Sequence, residues 1–145
     1  MTRMITDDVE IWALTDRVIG CGIEVHKTLG PGLLESVYEA ILAVQLSRIG
    51  LTVERQKILP VEYDGIALAD GFRVDLLVDG QLIIEVKSVE RLAPVHSKQL
   101  LTYLRLAGQP VGLLMNFGGE TFREGLRRVV NGPSKFVTRR TDIDR

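Results

Sequence analysis

The sequence of 145 residues has few of the residues that form disulfides or structural metal sites in small domains. It contains one cysteine, Cys21, so an internal disulfide is excluded. Only His26 and His96 accompany this thiol, which leaves no Cys/His set of the kind that binds structural zinc. Any metal bound by the chain would therefore be held mainly by oxygen atoms.

Long apolar runs are missing as well. Uncharged apolar stretches such as 82–84 are far shorter than the roughly 20 residues of a membrane-spanning helix. Residues 1–10 carry Arg3 and then three acids, without the apolar segment of a secretory signal. We therefore expect a cytoplasmic protein without membrane contact. With 46% apolar residues the length suits one domain, which we place at 1–130, followed by a basic, flexible tail at 131–145.

Acidic and basic residues nearly balance, 19 against 18, but their distribution is uneven. Residues 1–50 carry a net charge of −3 and residues 51–120 of −2, whereas residues 121–145 carry +4. Such a basic segment either contacts a polyanion or is a solvated surface, and the modest overall charge favours neither interpretation. The basic residues concerned are Arg123, Arg127, Arg128, Lys135, Arg139 and Arg140.

Apolar residues recur every three or four positions from residue 8 to residue 29, which predicts a first helix. Gly30-Pro31-Gly32 ends it, and a second helical pattern follows at once until Gly50. The period then changes to two, and the pairs Asp64-Gly65 and Asp79-Gly80 indicate tight turns between strands. A two-helix hairpin therefore precedes a sheet.

Further along the chain the pattern predicts a helix over 94–106, a buried strand over 111–117, and a final strand or helix over 121–130. Segments 74–78 and 81–86 are too apolar for edge strands, so we expect them at the centre of the sheet. The predicted order, two helices, four strands, a helix and one or two strands, is that of an α/β sandwich.

Three ionisable residues interrupt these central strands. Asp75 lies in the first, and Glu85 and Lys87 lie in the second, where alternation puts them on one face. A two-residue loop at the second Asp-Gly turn would send Asp75 to the opposite face. A three-residue loop over 78–80 pairs Leu77 with Gln81, brings the two acids together diagonally and gives both strands a consistent apolar side.

Two carboxylates at diagonal positions, roughly 7 Å apart at the backbone, can converge on one divalent cation such as Mg²⁺ or Mn²⁺. The alternative is an ordinary charge pair between Lys87 and the acids on a partly exposed face. Leu77 and Ile83 share that face, which favours a covered site with a functional reason for its charges.

Asp75, nine residues and then Glu85-Val86-Lys87 resemble the PD-(D/E)XK nuclease superfamily, with Val74 in place of the proline of its name. The segment Gln99-Leu100-Leu101-Thr102-Tyr103 is similar to the Gln-x-x-x-Tyr motif of many of its members. Gly32-Leu33-Leu34-Glu35-Ser36-Val37-Tyr38 resembles the signature of the GxxExxY family, which is grouped with these nucleases. The resemblance implies a restriction-endonuclease-like α/β fold, a mixed central sheet flanked by helices and preceded by the two-helix hairpin.

The resemblance also implies a metal-dependent nuclease that hydrolyses the phosphodiester backbone of DNA or RNA. Asp75 and Glu85 would bind Mg²⁺ or Mn²⁺, with Glu35 as a further acid near the metal. Lys87 would position the attacking water and stabilise charge on the phosphate. Glu35 equally suits the start of a helix, where the helix dipole favours an acid.

The same resemblance places Gln99 and Tyr103 at the site, Gln99 on an acid or the substrate and Tyr103 on Lys87 or phosphate. Tyr103 is also consistent with core packing alone, and His96 and Lys98 would lie where phosphate approaches. A catalytically silent binding module is the competing hypothesis, and a homodimer would help a domain this small to grip a duplex. A small-molecule enzyme is disfavoured, since the chain has no Gly-rich phosphate loop or nucleophile elbow.

Overall fold

The computed structural model describes residues 2–132, so Lys135, Arg139, Arg140 and nearly all of the predicted tail lie outside the described residues. The elements are α1 (Thr2–Leu29), α2 (Glu35–Arg48), β1 (Val53–Tyr63), β2 (Ile66–Val78), β3 (Leu82–Lys87), α3 (Pro94–Ala107), β4 (Val111–Asn116), the 3₁₀ turn Arg123–Gly125, and β5 (Leu126–Val130). The strands form one sheet in the order β1-β2-β3-β4-β5, antiparallel except for the parallel pair β3 and β4. None of the helices in this range has the length and apolar composition that crossing a membrane requires.

The side chains of the sheet form two apolar faces, although the alternation is interrupted in β2, where Val74 shares a cluster with Leu77 and not with Leu76. Leu82, Ile84 and Val86 belong to the larger buried cluster, which includes Tyr38 and Leu42 of α2. The opposite face packs on α3 in a smaller cluster of Val74, Leu77, Ile83, Leu100, Leu104 and Leu114. Because both faces are covered, a charged residue in β3 must be accommodated inside the protein.

The predicted α/β fold is confirmed: a mixed sheet flanked by helices follows a two-helix unit. The prediction of four strands between α2 and α3 is wrong, because β1 continues unbroken from Val53 to Tyr63 and β2 from Ile66 to Val78, which leaves three strands there. Pro60 does not end β1, since an edge strand tolerates a missing N–H and the pairing only shifts register between Leu59 and Val61. The segment left open at 121–130 is a 3₁₀ turn followed by strand β5.

The turn between β2 and β3 has three residues, as predicted, but they are 79–81 rather than 78–80. Val78 pairs with Leu82, so the predicted pairing of Leu77 with Gln81 is wrong. The cause is Asp79, which adopts a left-handed φ of 52° and accepts a hydrogen bond of 2.8 Å from the Thr52 N–H through its Oδ1. The observed register differs from the predicted one by two residues, an even number, so Asp75 and Glu85 remain on the same side of the sheet. The two acids move from diagonal to directly opposite positions.

Candidate active site

Asp75 lies where β2 and β3 separate. Their ladder ends at the pair Leu76 and Ile84, and beyond it the Asp75 side chain takes over a backbone donor. Its Oδ2 accepts a hydrogen bond of 2.8 Å from the Val86 N–H. The carboxylate thereby satisfies a strand N–H that would otherwise lose its partner, and it is held against β3 beside Glu85.

Glu85 is only 7% exposed, and its Oε1 is buried without a hydrogen-bond partner in the protein. Burial, followed by the negative charge of Asp75 and a hydrogen bond to its side chain, raises the pKa of Glu85 from the ordinary 4.5 to about 9. The nearby charge of Lys87 acts in the opposite direction. Without a cation the raised pKa keeps Glu85 protonated at neutral pH, because burial first and the neighbouring charge of Asp75 second disfavour its ionised form.

Lys87 ends β3, where it pairs with Asn116 of the parallel strand β4. It is half-buried, and its charge stabilises the ionised form of Glu85, two residues earlier on the same side of the strand. Phe117 donates its backbone N–H to the Lys87 carbonyl at 2.8 Å, which fixes the end of the strand. The structure thus brings Asp75, Glu85 and Lys87 into one electrostatic cluster.

α3 adds Tyr103 to this cluster. Its ring stacks on Phe72 of β2 with centroids 4.7 Å apart. Burial, then the charges of Glu85 and Asp75, raise the pKa of the Tyr103 hydroxyl, so the phenol lies near both acids. Core packing and proximity to the site are therefore combined in one side chain.

The other predicted residues of α3 lie outside this cluster. Gln99, one turn before Tyr103, is exposed, as is Lys98. His96 accepts a hydrogen bond of 3.1 Å from the Ala93 N–H through its Nδ1, so its ring caps the start of α3.

Glu35 is exposed in the first turn of α2, and a different acid of this helix is buried near Asp75. Glu39 is 5% exposed, with its Oε2 bound by Arg55 and its Oε1 bound by Gln56. Glu39 is not among the site residues that the sequence predicts. The available signal was its position among the apolar residues of α2, where an acid needs a partner.

Within residues 10–132, whose side chains the structure describes, no three or more Asp, Glu, His or Cys side chains are grouped in a way that could hold a metal. Asp75 and Glu85 are together, and Glu35 is not added to them. The pair nevertheless fits a hard divalent cation by its chemistry, because it offers oxygen donors, one of them the orphaned Glu85 Oε1. A cation would also supply the positive charge that lets both carboxyls ionise.

The basic residues that the structure describes in segment 121–132 border one groove and differ in their exposure. Lys98, Arg123 and Arg127 line a groove of about 950 Å³ between α3 and β5. Arg128 borders the same groove but is only 6% exposed, with its guanidinium 4.3 Å above the Trp12 ring and 3.6 Å from the Asp16 carboxylate. These contacts join β5 to α1, so Arg128 is not part of a solvated surface.

The mixed sheet, the preceding helices and the acids on adjacent strands define a restriction-endonuclease-like domain. A family model described as the PD-(D/E)XK nuclease superfamily matches residues 12–129. The chain belongs to this superfamily, whose nucleases generally use divalent metal ions and act on nucleic acid. No curated protein and no solved structure matches the chain.

Proposed function

We propose that this protein is a metal-dependent nuclease that hydrolyses the phosphodiester backbone of DNA or RNA. The observation that carries the proposal is the buried Glu85 carboxyl with its unpartnered oxygen beside Asp75, two residues before Lys87. If Asp75 and Glu85 had only a structural role, the buried Glu85 Oε1 would have no partner to offset the cost of its burial. Membership of the nuclease superfamily supports the same chemistry.

In this mechanism Asp75 and Glu85 hold Mg²⁺ or Mn²⁺, which polarises the phosphoryl oxygen and lowers the pKa of a bound water. Lys87 provides a fixed positive charge where negative charge develops on the phosphate. Tyr103, fixed by its stack on Phe72, presents its hydroxyl toward the acids and the substrate. Gln99 contacts the substrate from the exposed side of α3.

We also assign the chain to the GxxExxY family within the superfamily. Tyr38 is fully buried, and its hydroxyl donates to the Gly30 carbonyl and accepts from the Leu33 N–H at 3.2 Å. Ser88 donates to the Leu33 carbonyl at 2.6 Å, which ties this connection to the residue after Lys87. This hydrogen bond holds Leu33 beside the end of β3. Because Glu35 follows Leu33 by two residues, the bond supports Glu35 as the acid that approaches the metal from α2.

Replacing Asp75 by asparagine tests the proposal. The variant keeps an oxygen for the Val86 N–H but loses its charge, so we expect Mn²⁺ affinity to fall by about 100-fold and Mg²⁺-dependent cleavage to disappear. Titration calorimetry with Mn²⁺ and a nuclease assay on labelled DNA and RNA measure both. Asp64→Asn, in the remote turn after β1, is the matched control.

Equal Mn²⁺ binding by the wild type and Asp75→Asn would contradict the proposed metal site. Binding that depends on Asp75 without any cleavage would favour the silent binding module.

The groove between α3 and β5 provides a second test, directed at the substrate. We propose that Lys98 and Arg123 contact backbone phosphates, so Lys98→Ala and Arg123→Ala should each weaken nucleic-acid binding independently of sequence. Each lost phosphate contact lowers the slope of log K against log salt concentration by about 1. Fluorescence anisotropy across a salt series measures the slope. Arg48→Ala, exposed at the end of α2, should leave it unchanged, and equal slopes for all variants would remove the groove from the substrate path.

A further inference from the structure

Gln56 has an unusual backbone conformation for a strand residue. It lies in β1 between Arg55, which pairs with Leu76, and Lys57, which pairs with Val74, so the residue opposite it is Asp75. Its φ is 50°, in the left-handed region that residues with a side chain rarely adopt. Such a conformation persists only when surrounding interactions favour it, and it occurs often at functional sites.

The Gln56 side chain shows which interactions these are. Its Nε2 donates to Glu39 Oε1 at 2.7 Å and to Asp75 Oδ1 at 3.2 Å. Because both partners are carboxylates, only the NH₂ end of the amide can serve them, and the orientation of the amide is fixed. With the Val86 N–H on its other oxygen, Asp75 is held from both sides.

Glu39 is the fixed point of this arrangement. Arg55 binds its Oε2 through Nε and Nη2, both at 3.1 Å, and Gln56 binds its Oε1. With both oxygens engaged and the residue buried, Glu39 anchors Gln56 to α2. A continuous series of bonds therefore runs from Arg55 through Glu39 and Gln56 to Asp75.

We infer that Gln56 is a positioning residue, whose left-handed backbone directs its amide onto Asp75 and holds that carboxylate in the orientation that binds the cation. The inference rests on the proposed function. Hydrogen bonds to a ligating carboxylate fix its rotamer before the cation arrives, and their loss commonly costs 10- to 100-fold in metal affinity.

Gln56→Gly separates the backbone role from the side-chain role. Glycine adopts a positive φ without strain, which offsets part of the cost of leaving the buried Glu39 Oε1 without its donor, so the variant should stay folded at the assay temperature. It lacks the amide, so we expect its Kd for Mn²⁺ to rise by about tenfold. Gln56→Asn is a second variant, since asparagine also tolerates this conformation but its shorter amide loses the reach to both carboxylates.

The control is Asp64→Gly, which makes the same backbone change at a φ of 49° in the turn after β1. Thermal unfolding reports the stability of each variant, and calorimetry with the Mn²⁺ electron paramagnetic resonance spectrum reports affinity and coordination. Relative to the wild type, we expect weaker Mn²⁺ binding and an altered spectrum for both Gln56 variants. We expect no change in either for the control Asp64→Gly.

Mn²⁺ binding that depends on Asp75 but is equal in the wild type and both Gln56 variants would overturn the inference and leave the proposed function intact. Weaker binding only because both variants are unfolded at the assay temperature would also overturn it, since the amide would then be a structural bond. A wild type that does not bind Mn²⁺ through Asp75 would reject the proposed function and the inference together.

Discussion

Replacing Lys87 by alanine is expected to lower the rate of metal-dependent cleavage by about 10²- to 10³-fold, the cost of removing one preorganised donor from a transition state. The cation should still bind, because Lys87 is not a ligand. Its charge favours ionised Glu85 only as a secondary effect, after burial and the charge of Asp75. Single-turnover rates on labelled DNA and RNA at saturating Mg²⁺ measure the loss.

The variant Lys27→Ala, exposed in the last turn of α1, removes an equal charge on another element and should cleave at the wild-type rate. Mn²⁺ calorimetry on both variants separates a loss of chemistry from a loss of metal. Cleavage by Lys87→Ala at the wild-type rate would show that the hydrolysis depends on other residues.

Glu85→Gln should have two opposite effects. We expect Mn²⁺ binding to weaken by at least about 100-fold, since even the neighbours of metal ligands contribute 10- to 100-fold. We also expect the metal-free protein to gain about 1 to 3 kcal/mol in free energy of unfolding at pH 8, because glutamine fills the same buried space without a charge to neutralise.

The pH dependence follows from the raised pKa of Glu85. Between pH 4.5 and about 9 the folded protein retains a proton that the unfolded chain releases, so the free energy of unfolding of the metal-free protein falls as pH rises. Glu85→Gln should remove this part of the decline, which denaturant titrations with chelator at pH 5 and pH 8.5 would detect. Parallel curves for wild type and variant would contradict the buried, protonated carboxyl.

The charged cluster followed from the sequence, and its exact pairing did not. Alternation alone put Glu85 and Lys87 on one face, and the apolar pattern of both strands favoured an odd loop that added Asp75. Which three residues form the loop depends on a tertiary hydrogen bond from the Thr52 N–H to Asp79. No local pattern around the turn contains that information.

The sequence did not predict the roles of residues whose partners lie on other helices or strands. Gln56 reads as an ordinary polar position of an edge strand, and its left-handed backbone depends on Glu39 from α2. Arg128 reads as one more cation of a basic segment, yet the Trp12 ring of α1 covers it. In each case the partner is distant in sequence, so charge and periodicity could not identify it.

The separation of β2 and β3 at Asp75 affects how this domain could change over evolutionary time. Asp75 bonds the Val86 N–H, so mutation there would damage the fold as well as the proposed metal site. Lys87 is half-exposed at the end of its strand, where replacement would affect only the proposed reaction. In homologues that have lost hydrolytic activity, the lysine should therefore be replaced early, whereas the aspartate should be retained for its structural hydrogen bond.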